Sequence, residues 1–267
     1  MSKPKIVYFD LEIIPDLSKA LEYWTELSRF PGKTLKATVS SICTVGYLVE
    51  GEMKKAKTIN VWDKKSVWKK NVNDDYHLCK EIYEVLKDAD AVVTYNGKRF
   101  DWPYLQTRLM YHNLPLLEKP RHVDLYMVVR NNFRNINNKL DTASHLFLED
   151  RKLSHTGWKL WIDTHRRDPK AMELMAKYCR KDVDLMPKLL KKLRPLIKNL
   201  PNMNFFKSER QRLEAISVCP TCGSEEMIKW GNSYTATGLS PRFRCKSCGS
   251  TAKTSPTGKS MRPTSGR

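Results

Sequence analysis

The amino-acid sequence predicts an α/β fold in which helices flank a mixed five-stranded sheet, followed by a small cysteine-rich module. Apolar patterns follow the order strand, hairpin, helix, strand, helix, short strand, helix. A strand and an antiparallel hairpin followed by such crossovers give one sheet with an antiparallel and a parallel side. Two Cys-x-x-Cys units then occur close to the C-terminus. The length of 267 residues suits one large domain and a small module.

Each predicted element has its own local signal. Residues 6–12, "IVYFDLE", are rich in β-branched and aromatic side chains, as in a buried strand. Residues 15–34 have a helical period that ends at Pro31 and Gly32, and residues 38–62 predict a hairpin with its turn at 50–52. The remaining predicted elements are a helix at 73–89, a strand at 90–97, a helix at 100–113, a strand at 121–126, and helices at 140–147 and 168–197, the last kinked near Pro187.

The net charge of +19 is concentrated in the second half of the chain. Residues 1–150 contain 23 Lys and Arg against 20 Asp and Glu, a net charge of +3. Residues 151–198 contain 14 against 5, a net charge of +9, and residues 199–267 contain 11 against 4, a net charge of +7. This excess favours a polyanionic partner, nucleic acid before an anionic membrane, although lysine-rich helices also occur simply as soluble surfaces.

Hydropathy and cysteine usage bear on the cellular compartment. No apolar run approaches the ~20 residues that span a membrane, and the N-terminal segment has no hydrophobic signal core. We therefore expect a cytoplasmic protein without a membrane partner. Seven cysteines do not make a complete disulfide framework, and in a reducing compartment the paired Cys-x-x-Cys units indicate metal. Cys43, Cys79 and Cys179 are expected to be ordinary thiols.

Two carboxylates follow one another at the end of the first strand. Asp10 and Glu12 are two residues apart, so they share a face of the strand, roughly 6–7 Å apart. Like charges beside an apolar sheet cost free energy unless a cation balances them. Taken alone, the pair could also be two solvated acids at a frayed strand end.

Further acids follow the later elements. Asp101 comes after the strand "AVVTY", in the segment "YNGKRFD". Tyr178 and Asp182 are four residues apart on the long C-terminal helix, so they share one helix face. Asp184 lies about 200° round the helix from Asp182, so only one of the two can face the same site. The position of Tyr178 favours Asp182.

The ordered set of "DLE", Asn96 with Phe100-Asp101, and Tyr-x3-Asp resembles the three exonuclease motifs of the DEDD family. These are 3′–5′ exonucleases with an RNase H-like fold. The position five residues before Asp182 is Lys177 rather than histidine, so the tyrosine subgroup is the better match. Residues 1–195 are particularly similar to stand-alone relatives of the proofreading domains of family B polymerases.

The resemblance implies a catalytic set of Asp10, Glu12, Asp101, Tyr178 and Asp182. The four carboxylates would bind two Mg²⁺ or Mn²⁺ ions about 3.5–4 Å apart, which activate water and stabilise the leaving oxygen of a phosphodiester. Tyr178 would orient the attacking water, with helix packing as the alternative. The implied substrate is a single-stranded or frayed 3′ end, DNA favoured over RNA.

The loop before Asp101 supplies candidate contacts to nucleic acid. Asn96 and Phe100 resemble residues that line the cleft beside the terminal nucleotide, although Phe100 could equally belong to the core. Lys98 and Arg99 could contact phosphate or be solvated loop charges. Two further acids, Asp124 and Asp141, are expected to be a structural acid and a helix cap.

The C-terminal module predicts a four-cysteine zinc ribbon. Cys219, Cys222, Cys245 and Cys248 form two Cys-x-x-Cys units 22 residues apart, a pattern that gives tetrahedral thiolate coordination of one structural Zn²⁺. A redox dithiol would normally be a single unit on a thioredoxin-like βαβ pattern, which the sequence lacks. The aromatic and basic residues of the module suit nucleic-acid binding, with docking to a protein as the alternative. The candidate contacts are Trp230, Arg242, Arg244 and Lys246.

The predicted organisation is a nuclease domain at 1–198, a linker at 199–218, the ribbon at 219–250 and a disordered basic tail at 251–267. The predicted function is metal-dependent 3′–5′ exonuclease activity, which as proofreading would require a polymerase or another replication or repair protein as a partner. Two alternatives stay open: a non-catalytic nucleic-acid-binding protein on a nuclease-like fold, and an RNase H-like endonuclease or strand-transfer enzyme.

Overall fold

The computed structural model describes residues 3–15, 40–71, 73–154, 156–197, 200–235, 238–254 and 260–264. Apart from Pro15, the insertion predicted to be helical at 15–34 lies outside the described residues. Residues 255–259 and 265–267 of the predicted tail also lie outside them.

A mixed five-stranded sheet forms the centre of the larger domain, as predicted. Its strands are β1 (Ile6–Pro15), β2 (Ser40–Val49), β3 (Lys57–Asn60), β4 (Ala91–Thr94) and β5 (Arg121–Asp124), in the spatial order β3-β2-β1-β4-β5. The β1–β2 and β2–β3 pairs are antiparallel, whereas the β1–β4 and β4–β5 pairs are parallel. The hairpin and the crossover connections therefore lie on opposite sides of β1.

Helices cover both faces of this sheet. They are α1 (Lys65–Lys70), α2 (Tyr76–Leu86), α3 (Asp101–Tyr111), α4 (Leu125–Asn132), α5 (Leu140–Leu148), α6 (Trp158–His165) and α7 (Pro169–Leu193). The predicted helices correspond to α2, α3, α5 and α7. The short helices α1, α4 and α6 were not predicted, because six to eight residues carry too little of the helical period. The chain is helical through Pro187, and the kink expected there stays a prediction.

The alternation of β1 divides the core into two layers. Val7 and Phe9 pack with side chains of α2 and α3, whereas Ile6 and Tyr8 pack on the other face with α4 and the second half of α7. The burial of β1 on both faces is why its sequence is almost continuously apolar. Up to the irregularity between Glu12 and Ile13, the even-numbered side chains of β1 therefore point toward the α7 layer, which is the face expected for Asp10 and Glu12.

The cysteine-rich module contains an antiparallel sheet of four strands. They are β6 (Met227–Thr235), β7 (Gly238–Cys245), β8 (Thr251–Thr254) and β9 (Met261–Pro263), paired in sequence order. The segment between the two domains contains a 3₁₀ turn at Met203–Phe206 and the short helix α8 (Glu209–Leu213).

The prediction of a disordered tail at 251–267 is wrong for β8 and β9. Ala252 and Met261 are buried, and the side-chain amides of Asn202 and Asn204 donate to the Met261 carbonyl. The composition of this segment is rich in Ser, Thr, Pro and Gly, which suggested disorder. Pairing with β7 overrides that composition, so the module extends beyond the predicted boundary at residue 250.

No helix among the described residues is both long enough and apolar enough to cross a bilayer.

A buried ion cluster ties α2 to α3 and to β2. Asp75 is fully buried and accepts hydrogen bonds from Arg108 Nε at 2.9 Å, from His112 Nε2 at 2.5 Å and from the Ile42 N–H at 2.8 Å. Although burial raises the pKa of Asp75, its hydrogen bonds to His112 and Arg108 more than offset this and hold that pKa below its usual value. The ionised carboxylate is therefore part of the native packing.

Replacement of Asp75 tests this cluster. Asp75→Asn should lower the free energy of unfolding at neutral pH by about 3–5 kcal/mol, because it leaves the Arg108 guanidinium buried without its counter-charge. Since the pKa of Asp75 is depressed in the folded state, its contribution is complete above about pH 4 and is lost as the pH falls through the folded-state pKa. Urea unfolding of both proteins from pH 7 down to acid should show the difference shrinking below about pH 4.

Glu84→Gln is the matched control, because Glu84 pairs with Lys87 at 2.6 Å on the exposed surface of α2. This substitution should leave the free energy of unfolding nearly unchanged. The assignment would be contradicted if the difference in the free energy of unfolding between Asp75→Asn and the natural protein stayed constant down to acid pH.

Candidate active site

Three carboxylates converge where α7 crosses β1. A carboxylate oxygen of Asp10, one of Glu12 and one of Asp182 all lie within 4.8 Å of one another. Glu12 and Asp182 are buried, and Asp10 is partly exposed. The structure therefore brings together acids that are 170 residues apart in sequence. The resemblance to the exonuclease motifs had predicted that they belong to one site.

A glycine allows α7 to approach the sheet at this point. Gly46 of β2 is the register partner of Asp10. A Cβ atom built on Gly46 would lie 2.8 Å from Val183 Cγ2 and 3.0 Å from the Cys179 carbonyl oxygen. Any side chain at this position would push α7 away from β1, so Gly46 sets the distance between Asp10 and the acid of the helix.

Asp101 stands beside the three converging acids. It is the first residue of α3, it is buried, and its carboxylate accepts a hydrogen bond from the Leu11 N–H at 2.9 Å. This bond fixes the start of α3 to the strand that carries Asp10 and Glu12. After burial, the negative charge of Asp101 is the next cause that raises the pKa of Asp10.

Burial disfavours the ionisation of all four acids, and for Asp10 and Glu12 the neighbouring carboxylates of the site add to the effect. Burial raises the pKa of Glu12 to about 8, with Asp182 adding to the effect, and raises the pKa of Asp101 to about 7. Burial also raises the pKa of Asp182 to about 6, although the Lys152 ammonium opposes the shift. The pKa of Asp10 is raised well above its usual value by burial and by its acidic neighbours. The site therefore attracts positive charge.

Lys152 supplies one positive charge and was missed by sequence reasoning. Its ammonium forms an ion pair with the Asp182 carboxylate and donates to the Tyr178 hydroxyl at 2.6 Å. Lys152 lies in the loop after α5, where its N–H donates to Asp141 Oδ1 at 3.2 Å. No spacing rule places a loop lysine in a site, so the sequence alone carries no signal for it.

Tyr178 lies one helical turn from Asp182 and is buried. Its ring meets Trp161 of α6 edge-on, with centroids 6.1 Å apart, and its hydroxyl is held by Lys152. Burial and the neighbouring Asp182 raise the pKa of Tyr178 above its usual value, so the hydroxyl keeps its proton. Asp184, the rival acid of α7, instead accepts from the Ala56 N–H at 2.8 Å, as the helix register predicts.

The donor set fits hard divalent cations. Carboxylate oxygens are the ligands that Mg²⁺ and Mn²⁺ prefer, and three such groups converge here with a fourth beside them. Asp182 Oδ1 is buried and has no hydrogen-bond partner among the described residues. A buried carboxylate oxygen without a partner is costly, and a bound cation would satisfy it.

Two cavities flank the carboxylates. One, of about 610 Å³, is polar and is lined by Asp10, Asn96, Lys152, Tyr178 and Asp182 together with residues of the loop before α5. The other, of about 310 Å³, is lined by Glu12 and by three aromatic rings, which belong to Phe100, Trp158 and Trp161. Sequence reasoning missed the two tryptophans; the signal that could have found them is their spacing of three residues, which on a helix puts both on one side.

The predicted loop contacts separate into two groups. Asn96 and Phe100 line the cavities beside the acids, and Phe100 also packs against the core. The contact of either side chain with a nucleotide stays a prediction. Lys98 lines a different cavity with Lys119 and His122, away from the carboxylates. Arg99 is exposed and lines neither cavity beside the acids.

Asp124 shapes the loop that carries Asn96. Its carboxylate accepts from the backbone N–H groups of Asn96, Lys98 and Tyr126, at 2.8, 3.2 and 3.0 Å. Asp124 is thus a structural acid and the N-cap of α4. Asp141 was expected to cap a helix, but Lys139 occupies the N-cap position of α5, and Asp141 holds the Lys152 loop instead.

The four cysteines of the C-terminal module form a second metal-binding arrangement. The sulfur atoms of Cys219, Cys222, Cys245 and Cys248 all lie within 4.8 Å of one another. The Cys219–Cys248 and Cys222–Cys245 sulfur distances are 3.7 and 3.6 Å. Tetrahedral zinc with bonds of about 2.3 Å requires sulfur atoms about 3.8 Å apart, so the residues fit such an ion.

The two halves of this arrangement repeat one local structure, in the segments 219–224 and 245–250. The N–H groups of Cys219 and Cys245 each donate to the serine carbonyl five residues later, at 2.8 and 2.9 Å. In both halves a glycine with positive φ follows the second cysteine, which the turn requires and which glycine adopts without strain.

Three of the four predicted nucleic-acid residues of the module lie on the β6–β7 hairpin. The Arg244 guanidinium lies 4.9 Å from the centroid of the Trp230 ring, and Arg242 Nε donates to the Trp230 carbonyl at 3.1 Å. Trp230 is 44% exposed, so its ring is available to a ligand. Lys246 is exposed in the second cysteine turn.

Comparisons with known proteins agree with this architecture. The DNA polymerase of Methanocaldococcus jannaschii is 31% identical over 108 residues, a match that covers 32% of this chain and 7% of the polymerase. The structure of the family B DNA polymerase from the hyperthermophilic archaeon Pyrobaculum calidifontis superposes with a TM-score of 0.54 at 18% identity, covering 73% of this chain and 25% of the polymerase. At that identity the superposition shows a shared fold.

The chain spans only a small part of the length of either polymerase. A profile of the RNase H superfamily matches residues 34–194, which is more than half of the sequence and includes β2 to β5 and α7. The chain therefore belongs to the RNase H superfamily.

Proposed function

We propose that the protein is a metal-dependent 3′–5′ exonuclease that hydrolyses phosphodiester bonds of nucleic acid, DNA in preference to RNA. The observation that carries this proposal is the convergence of Asp10, Glu12 and Asp182 beside Tyr178. The similarity to two DNA polymerases supports nucleic acid as the substrate. The charge of +19 supports a polyanionic partner in general.

The carboxylates would hold two Mg²⁺ or Mn²⁺ ions, with Asp10, Glu12 and Asp182 as the converging ligands and Asp101 beside them. When bound, these ions lower the pKa of water and stabilise negative charge on the leaving oxygen. Asp101 also anchors α3 to β1 through the Leu11 N–H, so it fixes the relative position of the other acids. The enclosure of the site makes each electrostatic contact stronger than it would be in water.

Tyr178 and Lys152 act on the reacting groups directly. The Tyr178 hydroxyl keeps its proton and is held at 2.6 Å from Lys152, so it can orient an attacking water in one direction. The Lys152 ammonium lies next to Asp182, where it can stabilise the charge that develops on the phosphoryl oxygens. Both roles use groups that are already in place before substrate binds.

The two cavities suggest how a strand end lies in the site. The aromatic cavity with Phe100, Trp158 and Trp161 suits stacking of the terminal bases. The polar cavity with Asn96 and Lys152 suits the sugar and phosphate. Stacking requires unpaired bases, which favours single-stranded or frayed 3′ ends over an intact duplex.

The C-terminal module is proposed to be a zinc ribbon that helps to hold nucleic acid through Trp230, Arg242, Arg244 and Lys246. Thiolate-bound Zn²⁺ would be structural, because four cysteines leave no open coordination position. We place the enzyme in the cytoplasm, with a polymerase or another replication or repair protein as the partner if the activity serves proofreading.

Hydrolysis assays on 5′-labelled single-stranded DNA, duplex DNA and RNA test the exonuclease proposal. We expect a ladder that shortens from the 3′ end in the presence of Mg²⁺ or Mn²⁺ and disappears on chelation. Asp182→Asn should lower the rate by orders of magnitude, because it removes a carboxylate that acts on the transition state. Asp184→Asn, the matched control on the same helix, should stay within a few-fold of the natural protein.

Internal fragments without a ladder would favour the endonuclease alternative. Tight binding without hydrolysis under any metal would favour a non-catalytic protein. Loss of activity in Asp184→Asn but not in Asp182→Asn would mean that the wrong face of α7 has been assigned to the site.

Tyr178→Phe removes only the hydroxyl and keeps the ring that meets Trp161. Single-turnover hydrolysis should slow roughly 10–1000-fold, the scale of removing one oriented polar group, while substrate affinity changes little. Tyr83→Phe, at a partly buried tyrosine of α2 that does not line either cavity beside the acids, is the control. Equal single-turnover rates for the two variants would reduce Tyr178 to a packing residue.

Metal analysis of the purified protein tests the ribbon. The natural protein should contain one zinc ion per chain, and Cys222→Ser should lose it, because three thiolates bind zinc less well than four. Ser247→Ala, in the second cysteine turn, should retain the metal. Hydrolysis of short oligonucleotides should persist in Cys222→Ser, since the thiolates are not part of the carboxylate site. Its loss would show that the module is needed to fold the hydrolytic centre.

A further inference from the structure

A cleft of about 660 Å³ runs between the RNase H domain and the cysteine module. One wall is the outer face of α7 with the start of the following 3₁₀ turn, and another is the loop between β2 and β3. The third wall belongs to the two cysteine turns, through Cys222, Ser247 and Cys248. The module lies against the 3₁₀ turn that follows α7, since a Cβ on Gly249 would lie 3.6 Å from Pro195 Cγ.

The lining of this cleft is strongly basic. Its acidic members are Glu50 and Asp184. Its basic members are Lys54, Lys55, Lys181, Lys188, Lys191 and Arg194. The cleft is thus far more positive than the first 150 residues of the chain, where acids and bases nearly balance.

Three of the cations are engaged in ion pairs and three have none among the described residues. Asp150 pairs with Lys181 at 2.7 Å and with Lys188 at 3.0 Å, and Glu50 lies 3.4 Å from Arg194. Lys54, Lys55 and Lys191 are exposed and form no ion pair in the described part of the chain. Their charges are therefore available to a ligand. The acid of α7 in the cleft, Asp184, is occupied by the Ala56 N–H.

The basic row begins beside the hydrolytic centre. Lys181 is the neighbour of Asp182 in sequence, and at 100° per residue it faces the adjacent side of α7. The cations at 181, 188 and 191 follow the helix at spacings of seven and three residues and lie within about 80° of one another round its axis, so they form a row that leads from the flank of the site to the outer side of α7. Arg194 follows directly after the last turn. From 181 to 194 this row is about 20 Å long, at about 1.5 Å per residue.

We propose that this cleft binds the sugar-phosphate backbone of the strand whose end is hydrolysed, several nucleotides away from the reacting bond. The inference rests on the proposed nuclease function and adds a binding path that the aromatic hairpin of the module does not provide. A row of lysines suits phosphates, which repeat at a regular distance along a strand. Such contacts do not depend on the base sequence. An acidic protein segment is the competing ligand, and the test distinguishes it.

The path explains why the cysteine module is placed where it is. Its turns close one side of a groove whose other sides belong to the RNase H domain, so neither domain forms the cleft alone. A strand that follows the lysine row would contact both domains at once. Long substrates should therefore bind more tightly than short ones without any change in the hydrolytic centre.

The double variant Lys55→Ala/Lys191→Ala tests the proposal in the full-length protein. Binding of a long single-stranded DNA would be measured at several salt concentrations without added Mg²⁺ or Mn²⁺, so that no strand is degraded and the cysteine module keeps its zinc. The affinity should fall about tenfold at low salt, and the slope of log affinity against log salt should become shallower by about 1.4, for two lost phosphate contacts. Hydrolysis of a dinucleotide should be unchanged, because Lys191 is nine residues, or about 14 Å, along α7 from Asp182.

Lys65→Ala/Lys80→Ala is the matched control. Both lysines are exposed and lie in α1 and α2, and α2 packs on the opposite face of the sheet from the second half of α7. This variant should keep the affinity and the salt slope of the natural protein. Equal affinities and slopes for the two double variants would overturn the proposal. So would a polyglutamate peptide whose binding depends on Lys55 and Lys191 while DNA binding does not.

These outcomes are separable from the fate of the exonuclease proposal. If no metal supports hydrolysis but the cleft variant still loses DNA affinity and salt slope, the binding path stands and the proposed activity fails. If hydrolysis proceeds and the cleft variant binds long DNA like the control, the activity stands and the path is wrong.

Discussion

The mutual repulsion of buried carboxylates is the interaction around which the larger domain is organised. Asp10, Glu12 and Asp182 lie within 4.8 Å of one another, and burial and neighbouring acids raise the pKa values of all three. A protein selected only for stability would not place them together, because each unit of raised pKa is free energy taken from the folded state. Such an arrangement persists only where the surrounding structure enforces it, and it then acts as a strong attractor of cations.

Apolar packing on both faces of the sheet and a few close contacts hold these carboxylates near one another. The buried residues of β1 fix the strand between two layers, and α7 is fixed through Val183, Leu185 and Leu189 in one of them. Gly46 then lets the helix approach at the level of Asp10. The repulsive cluster is therefore held by hydrophobic burial of many side chains, of which each contributes about 1.5–3 kcal/mol when fully buried.

Some of this arrangement follows from the sequence through simple periodicities. The period of two placed Asp10 and Glu12 on one face of a strand, and the period of 3.6 separated Asp182 from Asp184. Both rules depend only on backbone geometry, so they hold without knowledge of the tertiary structure. The mixed five-stranded sheet followed because a hairpin and successive crossovers leave few topologies.

Other features could not be predicted, because they depend on contacts between distant segments. Lys152 enters the site from a loop whose position is set by Asp141, and no local pattern marks such a contact. Lys98 was grouped with the site on proximity in sequence, but the turn fixed by Asp124 directs it to another cavity. The strand β9 lies in a segment of turn-forming composition and forms through its pairing with β8. The local sequence therefore did not predict it.

The distribution of charge connects the two domains. The acids that repel one another are concentrated at one end of β1, and the unpaired lysines of the cleft lie on the loop between β2 and β3 and on the outer side of α7. A nucleic-acid strand is repelled by the first group and attracted by the second, so phosphates alone would not enter the carboxylate site. Cations in that site reverse its sign, and only then does the whole path from the cleft to the reacting bond become attractive to a polyanion. Binding of the strand end and binding of metal are thus expected to favour each other, because each neutralises the charge that opposes the other.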